Sequence, residues 1–487
     1  LAISATSETR RFSWQELFAV SILLALGLFT SFYLERLEGF HNDEYLTLWR
    51  SLAFYQGDWW LRSVDAQKPP LLYLLIAGIW KLGGVNYQSA LIPSLWASSA
   101  LPLLVYAIGR KLFVSRLCGF LAGAAAALST LQILFAPTLF LDPLYITLAL
   151  LAWHLQLSGH ARSAGLVFAV AFATKQQALC LFPLLLIGSE VSISNKKLKD
   201  LMLYLLFGIS CLLLWSMLGH GLTFPFVSQQ IAGENKVSGG LFAAPTLWLE
   251  RSLQWWQLLR LIFADGWICL LVLCSPLALN LNSAISTAHR RVSWLLLLWC
   301  LLLLACLLLV QFRLIERYLL PLVPVAAILI GALLAFAPGP RSLRLLLSLL
   351  FFTQLVLSLP SIPERAHIAN LRTLSFYYLH FPALAGFLRS VDLLPNSQIY
   401  ATPQLRPALI VLLFGSQIPQ TNIRDSAWPL RLKPASAGGL TPKRYLFTHS
   451  EAAAQRFTKR LPEGFMLKNV GLAADGSGAY QIVEVAP

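Results

Sequence analysis

The sequence predicts an α-helical polytopic membrane protein of about eleven crossings followed by a small α/β domain outside the membrane. Three observations carry that expectation. Hydrophobic residues make up 57% of the chain and charged residues only 12%, with a mean hydropathy of +0.67, too apolar for a soluble protein of this length. Long Leu-rich runs alternate with short basic clusters, and from Ser361 onward the texture changes to short β-rich runs interleaved with helix-like ones. The formal charge of +15 is spread over those clusters, where it orients spans against anionic lipid and is not a nucleic-acid footprint. The seven cysteines lie in or beside apolar runs and form no CxxC, which argues against a disulfide framework or a zinc site.

Residues 1–16 form a short polar arm ending in Arg10-Arg11. The apolar run 17–33 has no small-residue cleavage site after it and is followed by many more spans, so it reads as a first transmembrane helix with the arm cytoplasmic. Residues 38–88 then form a first outer loop. Within it Asp43 and Glu44 open an amphipathic helix, and Asp58, Asp65 and Lys68 precede Pro69-Pro70. The stretch 69–82 is apolar but only about 14 residues long, against the roughly 20 that a crossing needs. It is expected to be interfacial or re-entrant.

With 69–82 kept from crossing, spans are expected at 89–109, 117–136, 140–158, 162–174, 177–190, 200–219, 258–279, 293–311, 318–337 and 343–360. The clusters Arg110, Lys111 and Arg116, then Arg162, then Lys196, Lys197 and Lys199, then Arg290 and Arg291, then Arg341 and Arg344 all fall on the inner side. This satisfies the positive-inside rule and leaves the C-terminal part outside. The segments flanking Thr174-Lys175-Gln176-Gln177 are short for spans, so that break belongs inside the protein or in a wet cavity. The expected division is a membrane domain over 1–360 and an α/β domain over 361–487. Within the latter, SQIYAT, RPALIVLLFG, KRYLFTHS, EAAAQRFTKRL, FMLKNVGL and AYQIVEVAP alternate strand and helix patterns.

Few carboxylates occur between residues 37 and 360, and Asp43, Glu44, Asp58, Asp65, Asp142, Glu234, Glu250 and Glu316 map to one face. Asp142 stands between two apolar runs in APTLFLDPLYITLAL. An ionisable group at that depth is costly and usually functional or paired, although Asp ahead of Pro143 also suits a helix N-cap. The two roles are compatible. Asp43-Glu44 alone would serve as the acidic start of a helix. Lys68, Lys175 and the pair Arg313 and Arg317 are assigned to the same face, where cations can hold an anionic headgroup. Acids and cations together suggest a site for a phosphorylated lipid.

The series DE at 43–44, GDW at 57–59, KPP at 68–70, the isolated Asp142, TK at 174–175 and ERYLLPLVP at 316–324 resembles the GT-C membrane glycosyltransferases. Within these it is most similar to the group of protein O-mannosyltransferases and lipid A aminoarabinose transferases, over roughly residues 15–340. The resemblance implies a polyprenyl-phosphate sugar donor and an active site built from the first outer loop and the Asp142 loop. It matches the family's general base to Asp43 and a donor-phosphate lysine to Lys68. Loop 220–256 departs from the family in its sparse basic and aromatic surface, so the acceptor (lipid, glycan or protein) is not carried over.

The expected chemistry is inverting transfer at the outer face of a bacterial inner membrane. Asp43 would take the acceptor proton, Glu44 would orient acceptor or sugar, and Lys68, Arg317 and Lys175 would stabilise the departing phosphate. Asp142 with Asp43 could hold a divalent metal, Mg or Mn, as an optional element. Competing classes are a lipid-linked glycan ligase or polymerase, a flippase or transporter of lipid-linked sugars, and a scaffold protein. A transporter should show repeated halves, and no repeat is evident.

Overall fold

A computed structural model describes residues 14–33, 42–64, 68–188, 195–221, 245–263, 266–283, 285–309 and 316–362, and, toward the C-terminus, 388, 393, 397–401, 406–414, 423–425, 443–448, 451–459, 461–462, 465–472 and 478–484. Among these residues the apolar runs fold as helices. They are α1 (Trp14–Ser31), α2 (Asn42–Tyr55), α3 (Leu71–Gly83), α4 (Tyr87–Ala90), α5 (Ile92–Phe113), α6 (Arg116–Ala127), α7 (Thr130–Phe135), α8 (Asp142–Leu157), α9 (Ala161–Thr174) and α10 (Asn195–His220). After a 3-10 turn at Pro245–Leu247 come α11 (Trp248–Leu259), α12 (Gly266–Leu281), α13 (Thr287–Leu309), α14 (Leu322–Phe336) and α15 (Arg341–Ser358). Five helices, beginning at Trp14, Gln88, Asn195, Thr287 and Arg341, are long and apolar enough to cross a membrane. Shorter apolar helices fill the space between them.

Small residues set how closely these helices approach. A Cβ on Gly331 of α14 would stand 2.7 Å from the Cys118 carbonyl oxygen of α6, and one on Gly119 of α6 would stand 2.6 Å from the Tyr106 oxygen of α5. Backbone contact of this kind replaces the hydrophobic drive that lipid cannot supply. At one end of the bundle the basic turns are tied together. Glu16 accepts from Arg110 at 2.6 Å and Arg116 at 3.2 Å, Arg162 meets Asp200 at 3.3 Å, and Arg344 donates to the Ala335 carbonyl at 2.8 Å. The sequence expected these clusters to share a side, and they do.

Three expected spans take a different shape. The run 117–136 is broken between α6 and α7, where the Ser129 hydroxyl donates to the Ile262 carbonyl at 2.6 Å. The run 177–190 is a 3-10 helix over Gln176–Leu186. Its backbone is held by Trp299 Nε1, which donates to the Cys180 carbonyl at 3.0 Å, and the following Ile187 carbonyl accepts from Trp153 Nε1 at 3.0 Å. The run 258–279 is divided between α11 and α12. Arg251 of α11 donates to the Leu307 and Leu308 carbonyls at 3.1 and 3.0 Å, clamping the helix across the end of α13. Those carbonyls have no partner within their own helix, so the clamp satisfies both sides. The break expected at 174–177 lies inside the protein, with Lys175 only 5% exposed.

The stretch expected to be interfacial is α3, 13 residues long and thus about 20 Å, short of the roughly 30 Å hydrocarbon core. It packs against α2 at the end of the bundle opposite the basic turns. A five-stranded sheet lies at that same end. Its strands are β1 (Gln398–Ala401), β2 (Ile423–Asp425), β3 (Arg444–Thr448), β4 (Phe465–Leu472) and β5 (Gly478–Glu484), in the order β2-β1-β3-β5-β4. β1 pairs in parallel with β2 and β3, while β5 pairs antiparallel with β3 and β4. Helix α16 (Arg406–Leu412) packs on α2, and α17 (Glu451–Thr458) follows β3. Tyr45, Leu48 and Leu52 of α2 share one hydrophobic cluster with Ile399, Leu409 and Phe447. The sheet is thereby fastened to the helix that opens with Asp43 and Glu44.

Candidate active site

Asp43 lies in the first turn of α2, where a carboxylate is favoured by the helix dipole. Its Oδ2 accepts a hydrogen bond from Arg317 Nη1 at 2.7 Å, and Lys68 Nζ stands 3.7 Å from the same oxygen. The three residues reach this point from separate parts of the chain. Lys68 is fixed by Pro69 and Pro70, which stiffen the approach to α3. Arg317 belongs to a 3-10 turn, Glu316–Leu319, just before α14. The Asp43 side chain is 23% exposed, against 14% for Lys68 and 10% for Arg317. The carboxylate is therefore the most exposed of the three groups. Burial pushes the Lys68 ammonium below its ordinary range, and the neighbouring Asp43 charge opposes that shift.

A second ion pair adjoins the first. Lys175 Nζ donates to Asp142 Oδ1 at 2.7 Å, with the side chains 7% and 1% exposed. Asp142 is the first residue of α8, and Leu141 holds the N-cap position ahead of it. Of the two roles the sequence left open, pairing is the one the side chain adopts. Its Oδ2 has no hydrogen-bond partner among the described residues. Aromatic rings join the two pairs. Arg317 lies 4.7 Å from the Phe140 ring centroid and 5.8 Å from that of Tyr318, and Lys175 lies 5.5 Å from Tyr145 and 5.9 Å from Tyr318. Tyr318 thus contacts both cations.

Glu44 points elsewhere. It is 3% exposed, and its Oε1 accepts from the Leu139 backbone N–H at 2.7 Å. Asp58 also lies outside the cluster. It accepts from the Arg62 and Ser63 backbone amides at 3.0 and 2.8 Å and from the Ser63 hydroxyl at 2.6 Å. Burial would raise its pKa, but these bonds hold it below the ordinary value. This closes the turn that carries Leu61 at φ 54°. Glu250 accepts from Gln254 on the exposed side of α11 at 3.0 Å. Asp65, Glu234 and Arg313 lie outside the described residues.

Sequence reasoning missed Arg50. It is 1% exposed and its Nη1 donates to the Tyr73 hydroxyl at 3.1 Å, tying α2 to α3 behind the site. The available signal was its spacing, two helical turns after Asp43 on the same face.

The carboxylates proposed for a divalent metal do not fit one. Asp43 and Asp142 are each occupied by an organic cation, and among the described residues no three His, Cys, Asp or Glu side chains converge. A metal ion between them would face Arg317 and Lys175 at the same oxygens. No step is routed through one.

An apolar pocket lies between α11, α12, α13 and α14. Trp256, Phe263, Cys300, Leu304, Leu322 and Ala326 are among its walls. Leu322, on its wall, is the first residue of α14, which follows the turn that carries Arg317.

Residues 67–218 match the family described as dolichyl-phosphate-mannose-protein mannosyltransferase. That stretch contains Lys68, Asp142 and Lys175. Comparison with curated proteins returns no match. Among solved structures, ArnT from Cupriavidus metallidurans bound to undecaprenyl phosphate aligns with a TM-score of 0.60 at 14% identity, over 96% of this chain and 97% of that one. The same protein in its apo state aligns with a TM-score of 0.58 at 15% identity, again over 96% and 97%. Identity at this level speaks to the fold, which the two chains share over nearly their whole lengths. The chain therefore has the fold of ArnT, and its residues 67–218 carry the match to the mannosyltransferase family model.

Proposed function

We propose that the protein is an inverting glycosyltransferase that moves a sugar from a polyprenyl-phosphate donor to a lipid, glycan or protein acceptor at the outer membrane face. The observation that carries this reading is the meeting of Lys68 and Arg317 on one oxygen of a partly exposed Asp43. That is the inventory a displacement at an anomeric carbon requires. The acceptor oxygen attacks the carbon, its proton passes to Asp43, and the bond from that carbon to the phosphate oxygen breaks. The electron pair leaves on phosphate, where Lys68 and Arg317 offset the added charge. The undecaprenyl phosphate carried by ArnT supports the donor class. The apolar pocket beside α14 is a candidate seat for the donor's hydrocarbon chain.

The two cations are paired with Asp43. A donor phosphate would draw them off, freeing the carboxylate to act as a base when substrate is present. Lys175, neutralised by Asp142, would act on phosphate at longer range and through Tyr318.

Lys68→Ala is expected to weaken donor binding by about one to two orders of magnitude, from charge-assisted bonds of roughly 1.5–3 kcal/mol. Lys68→Arg should recover part of this. Titration of purified protein with polyprenyl-phosphate sugar checks it, and unchanged affinity in Lys68→Ala would remove the lysine from the phosphate site. The same reading puts the sheet outside the cell, because the basic turns gather at the opposite end. A reporter active only in the cytoplasm, fused after β5, should be silent; a signal from it would reverse the orientation.

A further inference from the structure

Asp43 and Glu44 are neighbours on α2, and consecutive helical residues point about 100° apart. They therefore face different directions, and Glu44, 3% exposed, is the one turned into the protein. We infer that the pair divides its work: Asp43 meets the reacting groups, while Glu44 is a positioning residue that grips the strap between α7 and α8 through the Leu139 amide. The catalytic consequence rests on the transferase reading, but the grip itself does not.

The strap 136–141 joins two helices, and Leu139 and Leu141 are buried at 0% and 2% exposure. Pro137 within it and Pro143 after it lack amide hydrogens of their own. The Thr138 hydroxyl donates to the Phe135 carbonyl at 2.6 Å, which closes the start of the strap. The Leu139 N–H belongs to no helix or strand, and a buried amide needs an acceptor from outside the segment. Glu44 supplies it at 2.7 Å, across 95 residues of sequence.

The residues after Leu139 show what the grip controls. Phe140 lies against Arg317 at 4.7 Å, and Asp142 holds Lys175 at 2.7 Å. Arg317 in turn donates to Asp43 at 2.7 Å. The contacts form a closed ring from Asp43 to Arg317, to Phe140, back along the strap to Leu139, and through Glu44 to the residue beside Asp43. Glu44 thereby sets the distance between the base and the arginine that serves the leaving phosphate. The grip on the Leu139 amide needs an accepting oxygen of the right reach, which a carboxamide also supplies.

The test compares Glu44→Ala with Glu44→Gln in purified full-length protein. In Glu44→Ala, hydrogen–deuterium exchange of a peptide spanning 136–142 should accelerate, and kcat should fall about 10–100-fold, the cost of misplaced groups, with the shape of the pH profile unchanged. In Glu44→Gln the carboxamide oxygen still accepts from Leu139, so exchange protection should return and most of the lost turnover with it. Turnover in the Gln variant as low as in the Ala variant, with the strap protected, would mean that the charge matters and would overturn the inference. Unchanged exchange in Glu44→Ala would overturn it equally. If the wild-type protein transfers no sugar from any polyprenyl-phosphate donor, the function reading falls, and the exchange measurement still decides whether Glu44 holds the strap.

Discussion

Asp43→Asn is expected to lower turnover by about 10²–10⁴-fold, the usual contribution of a general base, while donor affinity stays level or rises. The two halves of that result have separate causes. Asparagine keeps the shape of the side chain but cannot take the acceptor proton, so the chemical step loses its base. It also gives up the charge on which Arg317 and Lys68 rest at 2.7 and 3.7 Å. Those cations then meet an incoming phosphate without first leaving a carboxylate. Rate and affinity therefore move independently, which a folding defect would not produce. Turnover near that of the wild type would place the base elsewhere, and loss of donor affinity would mean that Asp43 holds the donor and does not compete with it.

The largest effect on stability is expected at Asp142. Asp142→Ala leaves Lys175 buried at 7% exposure with its hydrogen-bonded counter-charge removed. Breaking a buried ion pair from one side costs about 3–5 kcal/mol, a large share of the 5–15 kcal/mol typical of a folded domain. Asp142→Ser should fail as well, because serine can cap a helix but cannot neutralise an ammonium. The double substitution Asp142→Leu with Lys175→Met removes both charges and should restore the folded yield and thermal midpoint in detergent. If Asp142→Ser is as stable and active as the wild type, the pairing has no energetic weight and the residue is only the start of α8.

Much of this arrangement was legible before any coordinates, and the reasons are local. Proline placement marked Lys68, the length of apolar runs separated α3 from the spans, and alternation of strand and helix patterns marked β1, α16, β3, α17, β4 and β5. What depended on distant partners was not legible. Asp142 and Lys175 are 33 residues apart and Glu44 and Leu139 are 95 apart, and no periodicity relates them. The acid pair read as two catalytic groups because a sequence does not show which way a second acid turns. Arg50 stayed hidden because an arginine on an amphipathic helix ordinarily faces water. Amphipathic α11 reads from sequence as part of the loop 220–256, because its clamp, Arg251 on the end of α13, joins residues 56 and 57 positions apart.

The most direct test of the transferase reading is mass spectrometry of lipid-linked sugars and envelope glycoconjugates in cells expressing the intact protein or its Asp43→Asn variant. The expected result is that one polyprenyl-phosphate sugar accumulates in the variant and one glycolipid, glycan or glycoprotein loses the same sugar, naming donor and acceptor together. Identical donor pools and identical glycoconjugates in the two strains, with both proteins present in the membrane, would contradict it.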